Sequence, residues 1–159
     1  GEVIDGDMYA TPLSEQLRLL VVGSPGYFET RPLPRHPRDL ASHTCINWRP
    51  GAEENPYRWE FREEGRDFAV AVESRIVTSD PGLNLRLCLA GVGLNMTWER
   101  WVRTLVDEGK LQCVLEEFCP PFPGFHLYFP RRRQRSAALQ ALLDFVRPEV
   151  RSPGGRAAR

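Results

Sequence analysis

Three histidines, His36, His43 and His126, are the natural bases of this chain. A histidine acts as a base when a nucleophile and an orienting acid sit within hydrogen-bond reach. His36 and His43 lie in a proline-rich stretch, and His126 alternates with apolar residues in a strand pattern. The segment Val22-Gly23-Ser24-Pro25-Gly26 is similar to a nucleophile elbow, but Val22 stands where that motif needs glycine. Gly91-Val92-Gly93 follows a helix pattern instead of opening one, so it does not read as a phosphate cradle. Glu63-Glu64 falls in a hairpin turn and Glu116-Glu117 at a strand end, where both pairs read as solvated charge. Cys45, Cys88, Cys113 and Cys119 form no C-x-x-C pair and have no histidine at zinc-finger spacing. They read as reduced, buried thiols. No catalytic constellation and no metal or cofactor site emerges, and a non-enzyme is expected.

Polar side chains at two junctions suit ligand binding better. Thr78-Ser79-Asp80-Pro81 passes from a strand into a helix that Asp80 caps and Pro81 starts. Helix N-termini hold unpaired N–H groups that suit an anionic or hydrogen-bonding ligand. Gly93 to Trp98 brings Asn95, Met96 and Thr97 to a loop entering the next helix, and Asn47 lies on a neighbouring strand. In open α/β sheets, ligands bind at the carboxyl ends of strands. The candidate contacts are therefore Asn47, Thr78, Ser79, Asn95, Met96 and Thr97. The competing reading is that the hydroxyls only cap helices.

The elements that would position these residues are legible from periodicity. Leu17–Val22 is a short apolar strand closed by Gly and Pro, and three prolines between Arg31 and Asp39 impose extended chain before a short helix over 38–42. Cys45–Trp48 reads as a strand. Tyr57–Phe61 and Phe68–Val72 read as a hairpin turning at Glu63–Arg66, with a further strand at 75–78. The helix after Asp80 is apolar nearly all round and should be buried on most sides. Trp98, Trp101, Val102 and Leu105 have the spacing of a second helix that Gly109 stops. Leu111–Leu115 and Phe125–Phe129 are expected strands. Ser136 caps a last helix with Leu139, Leu142, Leu143 and Val146 as its core stripe and Pro148 as its end. Ser152 to Arg159 reads as a disordered tail. Strands alternating with helices define an α/β fold with a mixed sheet.

Composition bounds the rest. The 159 residues are 42% apolar and 26% charged, enough for one ordinary domain. Lys and Arg total 21, equal to Asp and Glu, so the chain lacks the basic excess of a nucleic-acid binder. The cluster Arg131–Arg135 lacks interleaved aromatics and reads as an exposed loop. No apolar run reaches the roughly 20 residues that cross a bilayer, and the acidic first residues contain no secretory signal.

Six segments in series carry a family resemblance: LRLLVVGSPGYF (17–28), PRHPRDLASHTCINWR (34–49), YRWEFREEGRDFAVAV (57–72), IVTSDPGLNLRLCLAGVGL (76–94), EEFCPPFPGFHLYFP (116–130) and SAALQALLDFV (136–146). Together they resemble the effector-binding domain of LysR-type transcriptional regulators, of type 2 periplasmic-binding-protein fold. The resemblance implies a two-lobed mixed-sheet fold and a small-molecule effector in the inter-lobe cleft. It also implies a cytoplasmic regulator that meets DNA through a separate N-terminal winged helix-turn-helix, absent from this sequence. It assigns 1–12 to a crossover from the first lobe, 13–116 to the second lobe, 117–147 to a return into the first, and 148–159 to a tail. It supports the same contact residues and a homo-oligomer, dimer or tetramer. Apolar faces at 125–129 and 136–146 would favour self-association. A transport-type solute-binding protein of the same fold is the alternative.

Overall fold

A computed structural model describes residues 2–5, 8–130 and 137–151. The strands are β1 (Glu2–Asp5), β2 (Met8–Pro12), β3 (Leu19–Gly23), β4 (Cys45–Trp48), β5 (Trp59–Glu63), β6 (Arg66–Val70), β7 (Ser74–Thr78), β8 (Leu94–Trp98), β9 (Gln112–Val114) and β10 (His126–Pro130). The helices are α1 (Pro25–Phe28), α2 (Pro81–Leu89), α3 (Glu99–Asp107) and α4 (Ala137–Arg151), with 3-10 turns at Pro37–Ser42 and Glu116–Phe118. The chain divides into two compact units, Arg18–Pro121 and the remainder, 1–17 with 122–159.

In the larger unit a five-stranded sheet runs β7-β4-β8-β3-β9. Strand β4 lies between β7 and β8 and is parallel to both, while β3 is antiparallel to the central β8 and to β9. Leu20, Val21, Val22, Ile46 and Leu94 are fully buried, which explains why these strands read as apolar runs. The expected hairpin forms as β5 and β6, with Trp59 opposite Val70 and Phe61 opposite Phe68. Trp59 and Phe61 face the core and Glu60 faces solvent, as the alternation requires. Gly65 takes the left-handed conformation that closes this turn.

Two expectations fail here. Leu94–Trp98 is a strand, not a loop entering a helix, and Trp98 is its last residue while α3 starts at Glu99. Pairing with β3 from Asn95 to Trp98 and with β4 at Leu94 and Asn95 outweighs the weak strand signal of an Asn- and Thr-containing segment. Gly93 is needed just before it, because a Cβ there would lie 2.5 Å from the Thr44 carbonyl oxygen. The second failure is α2. It buries Asn84 and Cys88 but leaves Leu83 and Leu89 each 37% exposed, so it packs along one stripe only.

In the smaller unit β1, β2 and β10 form an antiparallel sheet. Ala10, Leu17, Phe129 and Leu143 are its buried apolar side chains among the described residues. The segments 13–17 and 122–125 run beside each other: Leu17 bridges Phe122, and Leu13 donates to the Phe125 carbonyl at 2.7 Å. Gly124 sits against the Ser14 and Glu15 backbone where a Cβ has no room. Helix α4 continues through Pro148 to Arg151, so Pro148 does not end it and 148–151 is not tail. The cap at Ser136, the cluster Arg131–Arg135 and the tail 152–159 lie outside the described residues.

Candidate functional site

The candidate residues gather at one edge of the five-stranded sheet, because β4, β7 and β8 are parallel and end together there. Strand register then sorts them by face. Ile46 pairs with Asn95 and Trp48 with Thr78, while Asn95 lies opposite Val22 and Thr97 opposite Leu20. Continuing the β4–β8 register puts Trp48 beside Thr97. One face therefore carries a row Thr78, Trp48, Thr97, Leu20 and, one step inward, a row Ile76, Ile46, Asn95, Val22. Asn47 and Met96 alternate to the opposite face.

Asn47 is spent on structure. Its Nδ2 donates to the Tyr57 carbonyl at 2.8 Å, and its Oδ1 accepts from the Trp48 N–H at 2.8 Å and from Trp59 Nε1 at 3.1 Å. These bonds join the hairpin to the sheet, so Asn47 is an expected contact whose side chain already carries structural partners. Asn84 continues this chain, donating Nδ2 to the Asn47 carbonyl at 3.0 Å and accepting from Thr78 Oγ1 at 2.8 Å. Sequence reasoning passed over Asn84 because it falls within an apolar helix pattern. Asp80 Oδ1 accepts from the Gly82 and Leu83 N–H groups at 2.8 and 3.1 Å, so the start of α2 is closed by its own carboxylate. Ser79 is exposed.

Asn95 and Thr97 differ from these. They are 3% and 4% exposed, and their side chains are spent on no hydrogen bond with another described residue. Their neighbours in the sheet explain this, since Ile46, Val22, Leu20 and the half-buried Trp48 offer apolar surface. Among the described residues the buried side-chain nitrogen or oxygen without a hydrogen-bond partner is Arg18 Nε, and no atom of Asn95 or Thr97. Trp48 belongs to the same surface and was not singled out from sequence, where it reads only as a strand residue.

At the outer end of β8 lies a ring of four charges. Arg18 and Arg103 both contact Glu99 and Glu116; Arg18 Nε is 3.4 Å from Glu99 Oε2, and Arg103 Nη2 is 3.1 Å from Glu116 Oε1. The Arg103 hydrogen bond, above all, holds the Glu116 carboxyl below its usual range. Glu116 is thus an ion-pair partner in a 3-10 turn and not a solvated strand end.

The remaining reactive groups do not converge. Tyr27 bonds His43 Nδ1 at 3.2 Å, and burial lowers the His43 pKa. His36 caps the Pro37 turn and meets Glu63 at 3.0 Å, while His126 bonds the Gly124 carbonyl at 2.8 Å. All four cysteines are free; Cys45, Cys88 and Cys119 are buried and Cys113 is partly so. Burial pushes Cys45, Cys88 and Cys113 up to about 12 and Cys119 to about 11, far from a reactive thiolate. Among the described residues no three His, Cys, Asp or Glu side chains are placed to hold a metal.

The mixed α/β fold, with polar residues at the carboxyl ends of its parallel strands, is of the periplasmic-binding-protein-like class. Solved structures agree in fold. The regulatory domain of AphB from Vibrio vulnificus matches with a TM-score of 0.76 at 17% identity, covering 94% of this chain and 72% of that one. The regulatory domain of CrgA, a LysR-type regulator of Neisseria meningitidis, matches with a TM-score of 0.62 at 23% identity, covering 90% and 69%. The chain belongs to the family described as the LysR substrate binding domain, whose model matches residues 1–151. A transcriptional regulator of Pseudomonas aeruginosa PAO1 is 38% identical over 98% of this chain and 52% of its own length. The LysR family substrate binding domain-containing protein YagP of Escherichia coli K12 is 47% identical over 67% of this chain and 78% of its own. The HTH-type transcriptional regulator PgrR of the same strain is 31% identical over 91% and 48%. The chain spans about half the length of most of the curated relatives it matches. These relatives are named as regulators and not as enzymes, and nothing among them favours a transport protein. No helix of the described residues is long and apolar enough to cross a membrane.

Proposed function

We propose that this domain senses a small-molecule effector at the carboxyl edge of β4, β7 and β8, with Asn95 and Thr97 as the contacts of this lobe. One observation carries the reading: Asn95 and Thr97, two nearly buried polar residues two apart on β8, spend their side chains on no hydrogen bond with another described residue. Thr78, Ser79 and Met96 border them, and Asn47 acts through Asn84 and Thr78 by shaping the turn that starts α2. The Arg18–Pro121 unit corresponds in this reading to the second lobe. The domain is not an enzyme. It works in the cytoplasm as a homo-oligomer, and its whole regulator reads DNA through a separate helix-turn-helix domain. An effector shifts such a regulator only by its difference in affinity between conformations.

The test uses a regulator in which this domain is joined to its DNA-binding domain. Thr97→Ala and Asn95→Ala each remove one contact, so each should blunt the effector response while DNA is still bound without effector. Loss of a hydrogen bond to a ligand weakens binding roughly two- to tenfold. If both variants respond as the parent does, the contacts lie elsewhere.

A further inference from the structure

A cavity of about 490 Å3 is lined by Ser24, Leu89, Ala90, Gly91, Gly109 and Lys110 among others. Strand β3 ends and β8 begins at this edge of the sheet, opposite the carboxyl ends of β4, β7 and β8. Helices α2 and α3 both terminate at the cavity, each closed by a glycine in the left-handed conformation, Gly91 and Gly109. The last carbonyls of a helix have no partner within it. At the end of α2 the Ala90, Gly91 and Val92 N–H groups return to the Arg86, Cys88 and Leu87 carbonyls, which leaves those of Leu89 and Ala90 outside these bonds. At the end of α3 the Glu108, Gly109 and Lys110 N–H groups return to Thr104, Val106 and Leu105, which leaves those of Asp107 and Glu108. A helix C-terminus carries roughly half a negative charge. Two of them at one cavity favour a cation there and oppose an anion.

Ser24 supplies a further acceptor. It is 6% exposed, its Oγ accepts from the Tyr27 N–H at 3.3 Å, and a Cβ on Gly91 would lie 3.4 Å from that oxygen. A hydroxyl oxygen has a second lone pair to offer. Lys110 is the charged side chain of the lining, and Glu108 Oε2 holds its Nζ at 2.7 Å. We propose that this cavity binds a small aliphatic ammonium ligand, which donates to Ser24 Oγ and to the open carbonyls at the ends of α2 and α3. An ammonium has three donors and no acceptor, the complement of such a wall. The site is separate from the effector contacts at Asn95 and Thr97 and does not rest on them. Two helix ends suit two ammonium groups, so putrescine is the probe and butanediol, of the same carbon length without charge, the control.

Both are titrated at pH 7 into the 15N-labelled chain and read at the backbone signals of Ala90, Gly91 and Gly109. Putrescine should shift these signals saturably and bind roughly tenfold more tightly than butanediol. Lys110→Gln removes a competing cation and should tighten putrescine several-fold. Ala90→Lys tethers an ammonium at the end of α2 and should block it. Ala90 and Lys110 are both exposed, so neither change enters the core. Equal binding of butanediol overturns the ligand class, because charge is then not what the cavity reads. Shifts confined to other residues, no saturable shift with putrescine, or parent-like binding in either variant overturns the site.

Discussion

Thr97 has the shape of valine plus one hydroxyl, and that makes it a test of what the residue is for. If the Thr97 hydroxyl served the fold, its replacement by valine would cost stability. It gives no hydrogen bond to a described residue and is not among the buried atoms left unpartnered. Thr97→Val should therefore move the melting temperature by no more than roughly 2 °C, as a thermal scan would read directly. Lost effector binding with unchanged stability marks a residue retained for function. A markedly lower melting temperature would mean that Thr97 has a structural partner. Asn47 teaches the converse. From sequence it looks equivalent to Asn95, a polar residue on a strand near a turn. Only the positions of Tyr57 and Trp59, ten and twelve residues away, show that Asn47 is already satisfied.

At the scale of elements, the four-charge ring fastens the Glu116–Phe118 turn to α3 and to the start of β3. Glu116 has a depressed pKa in the folded chain, led by its hydrogen bond to Arg103. A depressed carboxyl contributes stability that is present above its unfolded pKa, about 4.3 for glutamate, and lost as pH falls through the folded value. Glu116→Gln should thus lower the urea midpoint at pH 7 and flatten its decline below about pH 4.3. The effect is modest, because Glu116 is 44% exposed and solvent screens it. A variant with the parent's acid limb would show that the ring contributes nothing. Strand β8 shows how an element escapes pattern reading. Asn95 and Thr97 break its apolar run, and Trp98, Trp101, Val102 and Leu105 fit a helical spacing so well that the helix claims one residue of the strand.

For the whole molecule, the smaller unit presents Phe125, Tyr128, Leu142 and Phe145 at 60%, 53%, 46% and 72% exposure. Among the described side chains of α4, Leu143 is the buried one. Apolar surface of this kind drives association. We expect the isolated chain to self-associate, and Phe145→Glu to shift light scattering towards the monomer mass. A parent chain that is monomeric at high concentration would refute this.

The sequence by itself determined the α/β class, the order of nearly every strand and helix, the Asp80-Pro81 helix start and the family. These follow from local rules: apolar periodicity, proline and glycine stereochemistry, capping, and the ordered series of six segments. The tertiary structure decided that β8 is a strand, that α2 shows one side to solvent, that Glu116 is paired, and which polar residues the fold's own hydrogen bonds use. Each of those depends on partners distant in the chain. A hydrogen-bond donor or acceptor in a sequence carries no mark of whether the fold will use it, so Asn47 and Asn95 could be separated only once their neighbours were in place.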